Sequence, residues 1–518
     1  MQHNLFSALR AGWPADLDAT AIECADGAPQ HSTLHYTWGD IERSTAMLAN
    51  LLASLGLPEG ARVAVQAEKS VAAAMLYLAV LRAGYVYLPL NTAYQASEIE
   101  YFVGNAEPAV VVCTSKNLDW VAKIAADAGT RHVYTLDDDG SGSLTDRAAR
   151  QPATHEVARR HADDPAAILY TSGTTGRSKG AMLSHGNMLS NALTLRRYWR
   201  WQPNDVLIHA LPIFHVHGLF VALHGALLNG SRMIWLAKFD PKTVIARLPE
   251  ATVFMGVPTL YVRLLANAGL TREACRRMRL FVSGSAPLLI ETFNAFRART
   301  GHTILERYGM SETAMLTSNP CDAAEGERRG GTVGFPLPDV RLRTVDDTGA
   351  PCPAGEIGNI QVIGPNVFSG YWRMPEKTAE EFVADADGTR WFKTGDVGRV
   401  DADGYVTIVG RSKDLIISGG YNVYPAEVEG YLNELPGVAE SAVVGVAHPD
   451  FGEAVVAVVV PKAGAVLDGA ALAAALKGRI AAFKVPKRVF VVEELPRNAM
   501  GKVQKNLLRD AHRGLFGT

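Results

Sequence analysis

The chain has 518 residues, 48% of them hydrophobic and 20% charged. This is the balance of an ordinary globular protein with material for three or four domain-sized units and large cores. Its 51 lysines and arginines nearly match 53 aspartates and glutamates, so the net charge of −2 gives no sign of a surface for nucleic acid. The five cysteines (Cys24, Cys113, Cys275, Cys321, Cys352) form no CxxC pair. That argues against a disulfide framework and a structural zinc site, and it points to a reducing, cytoplasmic setting.

The N-terminus, "MQHNLFSALRAGWPADLDA", lacks the basic start and apolar core of a secretory signal. "TWGDIERSTAMLANLLASLG" has helical spacing, with Thr37 or Asp40 as cap and Gly56 at its end. Residues 71–90, "VAAAMLYLAVLRAGYVYLPL", are broken by Arg82 and Gly84 and are too short to span a bilayer, so they read as a buried helix followed by a strand. No membrane insertion is expected. "RVAVQ", "AVVVC", "DVLIHAL", "SRMIWL", "ATVFMGV" and "RLFVSG" are apolar runs separated by helical patterns. They predict parallel sheets covered on both faces. After residue 332 the chain turns rich in Gly, Pro and short strands, which predicts a β subdomain. The last hundred or so residues predict a small α+β unit: a helix from Pro425, strands "SAVVGVA" and "AVVAVVV", a helix from Ala470 and a strand "RVFVVEEL". The expected fold class is α/β, with a large N-terminal domain (1–410), a junction at 411–413 and a small C-terminal domain (414–518).

Residues 170–180, "YTSGTTGRSKG", follow a short apolar strand and precede a strand and helix. Backbone N–H groups, hydroxyls and cations gathered at one point suit phosphate. The spacing is not that of a Walker A loop, since Lys179 is followed by Gly180. On pattern alone, a phosphate cradle and a mobile surface turn are equally open. His215 and His217 in "FHVHG" have the spacing of a metal pair, but no third ligand cluster accompanies them.

The loop resembles the phosphate-binding signature of the adenylate-forming (ANL) superfamily: acyl-CoA synthetases, adenylation domains and luciferases. "YGMSETA", "FKTGDVGRVDADGYVTIVGRSKDLI", "GGYNVYPAEVE" and "LPRNAMGKVQK" continue the resemblance in order along most of the chain. The superfamily's commonest form has Thr where this chain has Ser311, which keeps the hydroxyl. The resemblance implies ATP, Mg2+ and coenzyme A as cofactors, small-molecule substrates, and either a monomer or a dimer. It implies that Thr171, Ser172, Gly173, Thr174, Thr175, Gly176 and Lys179 cradle the β- and γ-phosphates, and that Glu312 holds the metal. Ser285, Ala286 and Pro287, with Glu306, Arg307, Tyr308, Gly309, Met310 and Ser311, would bind the nucleotide, and Ser283 and Gly284 would border the acyl group. Asp396 would accept from the ribose hydroxyls, assisted by Arg411. Lys502 would hold the α-phosphate against the attacking carboxylate, with Lys505 as the alternative. The small domain would swing about Lys413 between the two half-reactions, and Gly419, Gly420 and Tyr421 would border the thiol tunnel. His215 would stand between the acyl and nucleotide pockets.

"EKSVAAAMLYLAVLRAGYVYLPLNTAY", "DVLIHALPIFHVHGLFVA", "MRLFVSGSAPL" and "GPNVFSGYWRMPEKT" resemble the malonyl-CoA synthetases within that superfamily. A second carboxylate on the substrate needs a buried cation, because an unpaired buried charge is costly. The segment "MGVPTLYVRLLAN" supplies Arg263, either as that cation or as a surface arginine; Arg279 is a second candidate. The resulting expectation is a malonyl-CoA synthetase that also accepts methylmalonate. The alternatives are another short-chain or aromatic acyl-CoA synthetase, or an adenylation enzyme loading a carrier protein, although no carrier domain is expected after the last motif.

Overall fold

The computed structural model describes residues 3–25, 34–171, 178–498 and 501–517. The chain divides into two compact units: Met1–Arg341 with Ile363–Phe382, and Leu342–Val362 with Val383–Thr518.

The first unit is built on two sheets. In one, the strands run in the order Gly370–Tyr371, Lys179–Ser184, Pro165–Thr171, Val86–Pro89, Arg62–Gln66, Val110–Cys113, His132–Thr135. Its last five strands are parallel, while the first two join antiparallel at one edge. The other sheet runs from Phe335–Pro336 through Ala314–Ser318, Leu305–Met310, Leu280–Ser283, Val253–Gly256, Val206–His209, Arg232–Trp235 and Thr20–Cys24 to His35–Thr37. Its centre is parallel and both margins are antiparallel. The parallel sheets expected from the sequence therefore form the centres. The margins differ because an antiparallel pair closes through a short turn, whereas a parallel pair needs a crossover. The loops of chemical interest are those short marginal turns.

The helices follow their sequence patterns. Trp38–Ser54 begins with a reciprocal cap: Thr37 Oγ1 accepts from the Asp40 N–H at 3.0 Å, and the Asp40 carboxylate accepts from the Thr37 N–H at 2.8 Å. Val71–Arg82 has no polar face and is buried on nearly every side. Its terminal Arg82 is buried too, satisfied by the Glu42 carboxylate at 2.9 Å and the His155 carbonyl at 2.7 Å. Among the described residues no helix is long and apolar enough to cross a membrane.

The second unit holds two further sheets. One contains Arg341–Val345, Gly358–Ile363, Arg390–Val400 and Phe382–Ala384, with Val406–Arg411 paired to Arg390–Val400. The other contains Tyr421–Val423, Ile416–Ser418, Gly452–Pro461 and Val438–His448, with Arg488–Val491 parallel to Gly452–Pro461. The alternating apolar residues of Val438–His448 and Gly452–Pro461 feed two cores. One lies under the helices Pro425–Asn433 and Gly469–Leu476, the other under Lys505–Ala511.

Candidate active site

Strands Pro165–Thr171 and Lys179–Ser184 form a hairpin in which Thr171 pairs with Lys179. Ser172, Gly173, Thr174, Thr175 and Gly176 lie outside the described residues. The base of the hairpin is tied down by side chains. Tyr101 donates to the Ser178 carbonyl at 2.7 Å, Tyr170 donates to Asn105 at 2.5 Å, and Trp372 Nε1 donates to the Asn105 carbonyl at 3.1 Å. The Lys179 ammonium stands 2.9 Å from the Glu381 carboxylate and 4.3 Å from the centre of the Tyr371 ring. Tyr371 in turn donates its hydroxyl to Glu312 Oε1 at 3.0 Å. One ring thus joins the expected phosphate lysine to the expected metal carboxylate. Sequence reasoning did not single out Tyr371 or Glu381; the only signal was their neighbourhood in and just beyond "GPNVFSGYWRMPEKT".

Glu312 is buried in the turn between Leu305–Met310 and Ala314–Ser318. The turn is tight enough that a Cβ on Gly309 would lie 1.9 Å from the Ala314 carbonyl oxygen, so only glycine fits there. Ala314 itself has φ of 50°. Leu280–Ser283 ends in a second strained turn, where Ser285 has φ of 71°. Strain of this kind persists where the surroundings over-determine it, and it clusters at functional sites.

Beside that turn lies an arrangement the motifs did not reveal. Arg307 is only 2% exposed, yet its Nε and Nη2 have no hydrogen-bond partner among the described residues. A Cβ on Gly284 would sit 2.6 Å from its Cζ, so glycine makes room for the guanidinium. Burial pushes the arginine down to about 9. His217 is fully buried at the start of a π-helical stretch, His217–Leu223. Its Nδ1 lies 3.3 Å from Ser285 Oγ, and its Nε2 has no partner among the described residues. Burial, followed by the Arg307 guanidinium, drives His217 well below the usual histidine range, so the ring is neutral. Ser283 Oγ is buried and likewise unpartnered among the described residues. Glu306, on the same strand as Arg307, is pushed up to about 8 by burial and accepts from the Leu288 N–H at 3.2 Å. The result is a buried, polar, partly unsatisfied cluster carrying one cation, which is what an anionic ligand group would complete.

The other arginine candidates are placed differently. Arg263 is exposed on the helix Pro258–Leu265, whose buried residues are Leu260, Tyr261 and Leu264. Arg279 is paired with the buried Asp205. Its Nε lies 2.7 Å from Asp205 Oδ1, its Nη2 pairs with Asp205 Oδ2, and its Nη1 donates to the Trp199 carbonyl at 3.1 Å. It anchors the buried Asp205 rather than offering a cation to a ligand. His215 Nδ1 accepts from the His217 N–H at 3.2 Å. Among the described residues no group of three or more His, Cys, Asp or Glu gathers as a metal cluster.

The second unit carries its own set. Asp396 and Arg411 are cross-strand partners, and Arg411 Nε lies 2.7 Å from the buried Asp396 Oδ1. Lys502 donates its N–H to Asn498 Oδ1 at 3.0 Å, and its carbonyl accepts from the Asn498 N–H at 2.9 Å, with Gly501 at φ of 73°. Desolvation, then the Arg411 guanidinium, lowers the Lys502 ammonium below the usual lysine range. The same two causes bring Lys413 down to about 8. Lys505 is engaged by Glu429 at 2.6 Å, whereas Lys502 and Lys413 both lie beside Asp396 and Arg411. Gly419 and Gly420 have φ of 60° and 81° with little around them, and Tyr421 beyond them is exposed and stacks on Phe483 at 4.6 Å.

Comparison with known proteins matches residues 14–372 to the AMP-binding enzyme family and residues 427–502 to the AMP-binding enzyme C-terminal domain. The malonate–CoA ligase of Arabidopsis thaliana is 36% identical, covering 88% of this chain and 78% of that protein. A feruloyl-CoA synthase from Amycolatopsis is also 36% identical, covering 93% and 95%. The ATP-bound crystal structure of MatB from Rhodopseudomonas palustris superposes with a TM-score of 0.94 at 53% identity over 100% of both chains.

Proposed function

The chain belongs to the AMP-binding enzyme family, and from that premise we propose that it joins malonate to coenzyme A, by way of a malonyl-adenylate, with release of AMP and pyrophosphate. A free carboxylate is a poor acyl donor because oxide is not a leaving group. Attack of one malonate carboxylate on the α-phosphate of ATP converts that oxide into AMP, and the thiol of coenzyme A then displaces AMP. The protein's share is to position anions and offset charge. Lys179 and the hairpin loop hold the β- and γ-phosphates. Asp396, oriented by Arg411, accepts from the ribose. Lys502 holds the α-phosphate and the attacking carboxylate together. Glu312, a single buried carboxylate beside the phosphate lysine, fits a Mg2+ ion that takes most of its ligands from phosphate oxygens; such an ion would offset phosphate charge. Gly419, Gly420 and Tyr421 border the path of the thiol, and Lys413 is the hinge between the half-reactions.

The observation that carries the choice of acid is Arg307, a buried guanidinium with two nitrogens lacking hydrogen-bond partners among the described residues. A distal carboxylate pairs with it in a bidentate manner, and methylmalonate offers the same group. A feruloyl group ends in a neutral ring and would leave the cation unpaired. Arg263 is the second arginine proposed to reach the substrate. The free cysteines fit a cytoplasmic enzyme. The test is AMP release with malonate, methylmalonate, acetate, octanoate and ferulate, repeated with R307M and R263A. Malonate and methylmalonate should be the preferred acids, and the preference should collapse in R307M. Faster turnover of ferulate or octanoate by the native enzyme would overturn the assignment.

A further inference from the structure

The ion pair between Lys179 and Glu381 has no part in the reaction just derived, and it occupies the ammonium that the phosphates need. We propose that Glu381 is a built-in competitor for Lys179: it holds the lysine when no nucleotide is bound, yields it to the polyphosphate of ATP, and reclaims it as pyrophosphate leaves. The inference rests on the reading that Lys179 binds phosphate.

The geometry supports an exchange rather than an addition. The ammonium is 2.9 Å from Glu381 Oε1, with the two side chains 20% and 24% exposed, so the pair is screened less than a surface contact. The Tyr371 ring, 4.3 Å away, covers another side of the ammonium. That ring is immobilised. Tyr371 pairs with Ala181 across the sheet, its N–H donates to Thr378 Oγ1 at 2.9 Å, and its hydroxyl donates to Glu312 at 3.0 Å. With the ring on one side and the carboxylate on another, a phosphate that meets this ammonium takes the place of the carboxylate. Glu381 is also poorly placed to resist. It caps the C-terminal end of the helix Pro375–Glu380, where the helix dipole disfavours a negative charge. A polyphosphate carries several charges against one and displaces it. Nucleotide and pyrophosphate affinities are both lowered by the strength of the ion pair, and release of pyrophosphate is eased by the same amount.

The test is binding of ATP and of inorganic pyrophosphate to the full-length protein, measured by calorimetry, for the native chain, E381Q, E381D, K179A and the double variant K179A/E381Q. Removing the charge while keeping the shape should tighten both ligands by up to about fivefold, the upper end of what such ion pairs contribute. E381D should stay near native, and E381Q should have no effect in the K179A background. Inhibition of turnover by pyrophosphate should strengthen in E381Q by the same factor. Unchanged or weaker binding in a folded E381Q would overturn the proposal, as would an E381Q effect that survives in K179A. Native protein that binds ATP, with E381Q unchanged, defeats this inference alone; native protein that binds no ATP defeats the phosphate reading with it.

Discussion

Replacing Arg307 by methionine should make the enzyme more stable and less able to use malonate. The guanidinium is 2% exposed and burial brings it down to about 9, a fall of more than three pH units from the ordinary arginine range. At about 1.36 kcal/mol per pH unit, that disfavours the charged form in the folded state by roughly 4 kcal/mol. The sign follows from the direction. A cation whose folded-state pKa is depressed weakens the fold wherever it must stay charged, so near neutral pH the full penalty applies. Methionine removes the charge and keeps much of the apolar stem. Some packing and relaxation are lost in exchange, so the expected net gain is about 1–3 kcal/mol in urea unfolding without ligand. With substrate the balance reverses. Losing a charge-assisted, bidentate partner of a buried carboxylate removes about 1.5–3 kcal/mol. That corresponds to a fall in kcat/KM for malonate of roughly 10- to 150-fold, with acetate changed far less. The assays are equilibrium unfolding of the free protein and AMP release with both acids. A variant that is destabilised and keeps the native preference for malonate over acetate would refute the reasoning.

Glu306 titrates in the opposite sense. Burial raises its carboxyl to about 8, so the protonated form is the one the fold favours. Stability should fall as pH rises from the unfolded carboxyl range toward 8, by up to about 1.36 kcal/mol per pH unit, and E306Q should flatten that slope; equal slopes in thermal unfolding between pH 5 and 8 would count against it. Lys502→Ala should depress adenylation, measured by pyrophosphate exchange, by more than about 100-fold. It should leave thioester formation from supplied malonyl-adenylate nearly intact, and equal loss in both steps would remove Lys502 from its assigned role. Lys413→Pro should show the converse pattern, sparing exchange and crippling the thiol step, because proline restricts the backbone rotation a hinge needs. G284A should lower kcat/KM for malonate with little change in stability. The added Cβ meets the movable end of Arg307 at 2.6 Å rather than backbone, and an unchanged kcat/KM would show that the guanidinium's position is not critical.

Much of this protein was legible because its signals are local. Thr37 and Asp40 cap a helix within four residues, and residues 71–82 are apolar all round and are buried all round. The Gly, Ser, Thr and Lys residues from Thr171 to Lys179 left a phosphate cradle and a surface turn equally open, and the other motifs tipped the reading. The ordered motifs pointed to the family for the same reason: each keeps its diagnostic residues in one contiguous stretch. What stayed hidden depended on residues distant in sequence. Arg279 looked available to a ligand until the fold placed Asp205 against it. Arg307 looked like one more residue of a nucleotide motif, since nothing in "ERYGM" says that its guanidinium is buried with two nitrogens unpartnered among the described residues. Tyr371 and Glu381 meet Lys179 only because Gly370–Tyr371 pairs with Lys179–Ser184 at a sheet edge. The amino-acid sequence by itself determined the elements, the family and the reaction type, because local periodicity and turn chemistry encode them. Only the tertiary structure decided that two Arg307 nitrogens lack hydrogen-bond partners among the described residues and that Glu381 pairs with Lys179, because burial and ion pairing arise from the whole fold and not from any one segment.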